Sequence, residues 1–137
     1  DKNEKLCNSI KQFGEYLGIA YQIKDDLFDI VGNINNTGKK SNLDVKKNML
    51  TLPYIYTLSS LNNLDKKIFL TKIKKYASKS DINNIKKMII DSGGIKYTED
   101  KIIEISNKAK QMLDEFPSSK YKDALNLAVD FNINRVY

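Results

Sequence analysis

Asp25-Asp26-Leu27-Phe28-Asp29 puts three carboxylates within about one turn of an otherwise apolar helix. Apolar residues recur at Leu6, Ile10, Phe13, Leu17, Ala20, Tyr21, Leu27, Phe28 and Val31, a spacing of three and four that predicts a helix over Leu6–Val31. Ile19, Ile23 and Ile30 cover a second flank, so this helix is apolar around most of its circumference and is expected to be buried. One polar stripe remains, formed by Gly14, Gly18, Gln22, Asp25 and Asp29, with Asp26 at its edge. Carboxylates at i and i+4 repel, and acids are rarely buried unless paired or bound to a metal. A buried helix therefore aims its acids at something cationic. Clustered hard oxygen ligands suit magnesium, Mg²⁺, which is usually held by one or two carboxylates together with phosphates and water. The plain alternative is a solvated acidic face, and the apolarity of the rest of the helix argues against it.

The elements that position this stripe read as helices almost throughout. A polar loop, Gly32-Asn33-Ile34-Asn35-Asn36-Thr37-Gly38, follows the first helix, carries Lys39 and Lys40, and runs to about Asn48. Thr51 can cap a second helix with Pro53 in its first turn and Tyr54, Ile55, Leu58 and Leu61 on its apolar side. Asp65 can cap a third through Tyr76, with Ile68, Phe69 and Ile73 inward. A fourth starts at Ser80 or Asp81, buries Ile82, Ile85 and Ile89, and stops at Gly93-Gly94. Thr98 with Asp100 or Lys101 opens a longer helix, whose Ile102, Ile105, Ala109, Met112, Leu113 and Phe116 repeat at helical spacing before Pro117. The last helix runs from about Ser119 to Asn134 and presents Tyr121, Ala124, Leu125, Ala128 and Phe131. The expected architecture is an all-α bundle with one long polar loop.

Composition narrows the chemistry. The chain has no histidine, which removes imidazole metal sites and Ser-His-Asp or Cys-His nucleophile systems. Cys7 is alone, so no internal disulfide framework exists, as suits a reducing cytosol. At 137 residues the chain is one domain's worth, and no apolar run approaches the roughly 20 residues that span a bilayer. The chain opens on Asp1 and not on methionine, so a fragment or a processed product is expected. The net charge of +6 is carried by lysine, with Arg135 the sole arginine. Nucleic-acid readers lean on arginine for bidentate contacts, so a basic helical nucleic-acid binder is not expected.

The residues from Gly18 to Asp29, Gly-Ile-Ala-Tyr-Gln-Ile-Lys-Asp-Asp-Leu-Phe-Asp, resemble the second aspartate-rich motif of trans-polyprenyl diphosphate synthases. Gly38-Lys39, Asp44 and Thr51-Leu52-Pro53 are similar to the motif's continuation, and Gly93-Gly94-Ile95 and Phe116-Pro117-Ser118-Ser119 resemble the tail of long-chain members. The resemblance covers nearly the whole chain but only the C-terminal half of such an enzyme. It implies that residues 1–137 form a single all-α domain fragment of the trans-isoprenyl diphosphate synthase bundle. It also implies a reaction: isopentenyl diphosphate is condensed with an allylic diphosphate to a polyprenyl diphosphate, for quinone side chains.

An enzyme that breaks a carbon–diphosphate bond must neutralise the charge gathering on the departing diphosphate, and Mg²⁺ and lysines do so. By the resemblance, Asp25 is the principal metal ligand and Asp26 and Asp29 complete the shell. Lys39 contacts the allylic diphosphate and is catalytic with Asp25. Gln22 lines the substrate site, Asp44 orders the lysine loop, and Tyr21 is a wall residue. Gly18 reads equally as close helix packing and as clearance for substrate. Lys24 points along the apolar side and is expected to be structural. Two departures stand out: Met49 replaces a lysine common in the family, and Asn42 replaces a loop glycine, although asparagine also tolerates a left-handed backbone. The family's first aspartate-rich motif and isopentenyl diphosphate site have no counterpart here. The implied protein is a cytoplasmic homodimer with at most peripheral membrane contact through its lipid product. The alternative is a truncated or non-catalytic subunit that pairs with another synthase chain.

Overall fold

The computed structural model describes residues 2–31, 49–74 and 79–135. Those residues form helices α1 (Lys2–Val31), α2 (Leu52–Ser60), α3 (Asn63–Lys74), α4 (Lys79–Asp91), α5 (Gly94–Met112) and α6 (Lys120–Asn134), with no strand among them. The all-α class is the one the helical periodicities predict. The loop with Lys39, Asn42 and Asp44 lies outside the described residues, as does Tyr76. The chain divides into two compact units, one drawn from residues 1–24 and 100–136 and the other from 25–99.

In the first unit, Phe13 of α1, Ala109 of α5, Val129 of α6 and Leu113 form a buried cluster. Tyr16, Leu17, Met112, Phe116, Leu125 and Ile133 pack around it. α1 starts one turn before the apolar repeat, at Lys2 and not Leu6. Glu4 complements the helix dipole in the first turn, and Lys5 Nζ lies 2.7 Å from Glu115 Oε1. An apolar repeat marks where a helix meets the core, not where it begins.

Ser119 caps α6, its hydroxyl accepting from the Lys122 amide at 3.2 Å. The buried face of α6 differs from the expected one. Val129 and Asn132 are buried and Leu125 packs beside them, whereas Tyr121, Ala124, Ala128 and Phe131 are exposed. Two apolar stripes lie side by side on this helix, and only the one facing Leu113 and Phe13 is covered. Asn132 is buried, and among the described residues neither of its amide atoms has a hydrogen-bond partner. On α1, Ile10 and Ile19 are likewise exposed, so the helix is only partly buried, contrary to its all-round apolarity.

The second unit packs α2 and α3 against α4. Its core holds Ile30 from the end of α1, Tyr54, Phe69, Ile73, Ile85 and Ile89. Ile55 and Ile68, expected inward, are exposed, and Thr57 takes the buried position on α2. Thr51 is the N-cap of α2 by backbone conformation only, because its side chain makes no cap bond. α3 is capped three residues earlier than expected. Asn62 Oδ1 accepts from the amides of Leu64 and Asp65 at 3.0 and 2.9 Å, and Asn62 Nδ2 donates to Asp65 Oδ2 at 2.7 Å. Asp65 thus braces the Asn62 side chain in place of being the cap itself.

Gly93 ends α4 at φ +80°, as the glycine pair predicts. α5 begins at once, a turn before Thr98, because Gly94 slots into a space without room for a side chain. A Cβ there would lie 2.8 Å from Thr57 Oγ1, 3.0 Å from the Pro53 carbonyl oxygen and 3.1 Å from Ile89 Cγ2. Thr98 is buried inside the helix, its hydroxyl donating to the Gly94 carbonyl at 2.7 Å. Tyr56 and Tyr97 stack at 4.2 Å between centroids and join α2 to the first turn of α5.

Gly94→Ala should therefore destabilise the chain by about 1–3 kcal/mol, since a backbone carbonyl cannot yield as a side chain would. Chemical denaturation checks this, and an unchanged midpoint would mean that α2 and α5 are free to separate. The uncovered stripe of α6 should drive self-association. Leu127→Lys with Phe131→Lys is expected to shift size-exclusion elution toward the monomer while changing stability by only about 0.5 kcal/mol, as at other surface positions. An unaltered elution profile would clear this face of that role.

Candidate active site

The rotation of α1 about its axis decides where its acids point. Leu27 is fully buried and Ile30 nearly so, which turns Asp25, on the opposite side, into the open. Asp26 and Asp29 flank the buried side chains and are half-buried. Gly18 and Gln22, earlier on the same stripe, are exposed. A Cβ on Gly18 would meet nothing within 4 Å, so the close-packing role finds no partner among the described residues.

Lys24 does what its position on the apolar side implies. Its ammonium donates to the Ile133 carbonyl at 3.0 Å, satisfying an acceptor in the last turn of α6 with positive charge at the negative end of that helix. Arg135 stacks over Tyr21, with its guanidinium carbon 4.1 Å from the ring centre. Tyr21 is also a wall residue: with Leu17, Ala124, Leu127, Ala128 and Phe131 it lines an apolar groove of about 460 Å³. Met49 is exposed.

One cation near the aspartates is not evident from sequence. Lys86 of α4 is half-buried and lies within electrostatic reach of Asp29. Burial pushes its pKa below the ordinary lysine value, and the Asp29 charge partly opposes that shift. Ile30, Ile85 and Ile89 share the core of this unit. The only signal in the sequence is a lysine beside a buried isoleucine, which is too common to single out.

Among the described residues, no three acidic, histidine or cysteine side chains converge closely enough to hold a metal ion. Asp25, Asp26 and Asp29 are therefore not a self-sufficient cage. Their chemistry fits a different arrangement, in which one or two carboxylates supply hard oxygens and the remaining ligands come from a phosphate and water. An open carboxylate stripe on a rigid helix can do that.

Comparison with known proteins places the chain. The polyprenyl synthetase family model matches residues 1–90, and the chain belongs to that family. A decaprenyl-diphosphate synthase of Dictyostelium discoideum is 32% identical over 123 residues, covering 90% of this chain and 26% of that protein. The solved geranylgeranyl pyrophosphate synthase of Bacteroides thetaiotaomicron superposes with a TM-score of 0.82 at 31% identity, over 93% of this chain and 42% of the other. A polyprenyl synthase of Caulobacter crescentus, solved with calcium and isoprenyl diphosphate, superposes at 0.83 with 26% identity, over 93% and 39%. The chain thus spans well under half the length of these relatives.

Lys24 and the stripe beside it should separate experimentally. Lys24→Ala is expected to cost about 1–2 kcal/mol in stability, the range for a hydrogen bond from a charged donor, and to leave metal-dependent diphosphate binding intact. A binding loss larger than the stability loss would make Lys24 part of the site.

Proposed function

We propose that this chain is the aspartate-bearing part of a Mg²⁺-dependent trans-polyprenyl diphosphate synthase, which condenses isopentenyl diphosphate with an allylic diphosphate. The single observation that carries this is the outward Asp25–Asp29 stripe on α1 in a chain of the polyprenyl synthetase family. Asp25 is the principal ligand, with Asp26 and Asp29 completing the shell directly or through water. When bound, Mg²⁺ supplies Lewis-acid neutralisation of the departing diphosphate. Lys39 adds a point charge on the allylic diphosphate, and Gln22 lines the site one turn before Asp25. Gly18 leaves clearance for substrate. Loss of diphosphate, carbon–carbon bond formation and loss of a proton then complete each condensation. The long-chain product serves quinone side chains, and the working enzyme is a cytoplasmic homodimer that meets a membrane through its product.

Metal and diphosphate should bind together and only weakly apart. Calorimetry with inorganic pyrophosphate is expected to show tighter binding with Mg²⁺ present, and Asp25→Ala should abolish the difference. In a synthase that contains this chain, Asp25→Ala should slow turnover about a hundredfold, the effect of losing roughly 3 kcal/mol of charge stabilisation. Equal pyrophosphate affinity with and without metal would end the metal-bridge assignment.

A further inference from the structure

We propose that the outward face of α3 docks the chain on an anionic bilayer, with Leu64 and Ile68 entering the headgroup layer and flanking lysines meeting lipid phosphates. Docking by this face goes beyond the synthase assignment and does not depend on it. α3 is apolar on two sides. Phe69 and Ile73 are buried in the core of the second unit, and that packing turns Leu64 and Ile68, one turn apart, into solvent at 69% and 41% exposure. Single exposed apolar residues are ordinary, but the neighbours of this pair are ordered by kind. At about 100° per residue, Lys67 and Lys74 lie on one flank of the Leu64–Ile68 line and Lys72 on the other. Lys67 and Lys74 are exposed. Thr71, between them, donates its hydroxyl to the Lys67 carbonyl at 2.7 Å and so adds no spare donor to the apolar strip.

Charge selects the partner. The acids beside this face are already engaged: Asp81 of α4 accepts from Lys72 Nζ at 3.1 Å, and Asp65 accepts from Asn62 Nδ2 at 2.7 Å. Lys67 and Lys74 make no ion pair among the described residues, so their charge is left for an external anion. A groove of about 450 Å³, lined by Lys67, Ile68, Thr71, Lys72 and Asp81, opens beside the strip and leaves room for a phosphate-bearing headgroup next to Lys67. An apolar centre with a cationic rim is what an interfacial helix uses, because lysine stems can follow the apolar residues inward while their ammonium groups stay with the phosphates. A solvated acidic protein surface would satisfy the lysines but offer nothing to Leu64 and Ile68. Among the described residues no helix is long and apolar enough to cross a membrane, so the contact is with the bilayer surface.

Vesicle flotation tests this without turnover, because lipid-bound protein rises and aggregated protein sinks. The chain should float with phosphatidylcholine vesicles that contain about 30 mol % phosphatidylserine, not with phosphatidylcholine alone, and less as salt is raised. Each lysine near an anionic leaflet contributes about fivefold, so Lys67→Gln with Lys74→Gln should lower binding about twenty- to thirtyfold. Leu64→Ser with Ile68→Ser keeps every charge and should still lower it about tenfold or more. Lys5→Gln with Lys11→Gln removes the same charge from α1 and should change nothing. Equal losses in the α1 and α3 lysine variants, or full binding by Leu64→Ser with Ile68→Ser, would reduce the effect to net charge and overturn docking by this face. No flotation of the wild type would also overturn it and leave the face to an acidic protein, with the metal and diphosphate assignment untouched.

Discussion

The candidate site depends on the burial of Leu27 and Ile30, because a helix has one rotational freedom and these two side chains remove it. With Leu27 fully buried and Ile30 in the core of the second unit, Asp25 is held outward and Asp29 sits at the border between core and solvent. An aspartate stripe on a helix free to roll would not present fixed oxygens to a ligand. Fixed oxygens are what a metal bridge to phosphate requires, since orientation set in advance need not be paid for on binding. The apolar flank and the acidic stripe are two consequences of one sequence period.

The core that holds Ile30 is itself kept tight by a local device. The Thr57 and Ser92 hydroxyls lie 2.9 Å apart, with the Pro53 carbonyl within reach of the first and the Ile89 carbonyl within reach of the second, so two hydroxyl protons are shared among three contacts. These contacts tie α2 to the end of α4, and the missing side chain of Gly94 lets α5 begin directly against them. Polar groups so buried must be mutually satisfied, and here the hydroxyls are. α4, which carries Lys86, is thereby held against the same core as the last turn of α1.

The first unit shows the opposite condition. Leu127 and Phe131 of α6 are more than 60% exposed, and Tyr21 is 44% exposed beside them in the same groove. Apolar surface of this kind is costly to leave in water. Relatives more than twice the length of this chain contain further structure, and a continuous uncovered apolar face is consistent with a fold that is larger in them. Tyr21, Lys24 and Arg135 hold the end of α6 to α1 within this unit.

The helices and the acidic stripe were legible in the sequence because they depend on spacings of three and four and on local signals such as Gly93-Gly94. The cap of α3 is local as well, but it sits on Asn62, whose side-chain oxygen takes the two amides, and not on Asp65. Other features rest on surfaces supplied by residues far away in the chain, which no local period encodes. The choice between two adjacent apolar stripes on α6 is one, since both have the right period and only the packing of Phe13 and Leu113 selects Val129. The exposure of Ile19 and Tyr21 on α1 is another. The sequence alone determined that three aspartates share one end of an apolar helix. Only the tertiary structure decided that Leu27 and Ile30 turn that stripe outward, because burial belongs to pairs of surfaces and not to any single segment.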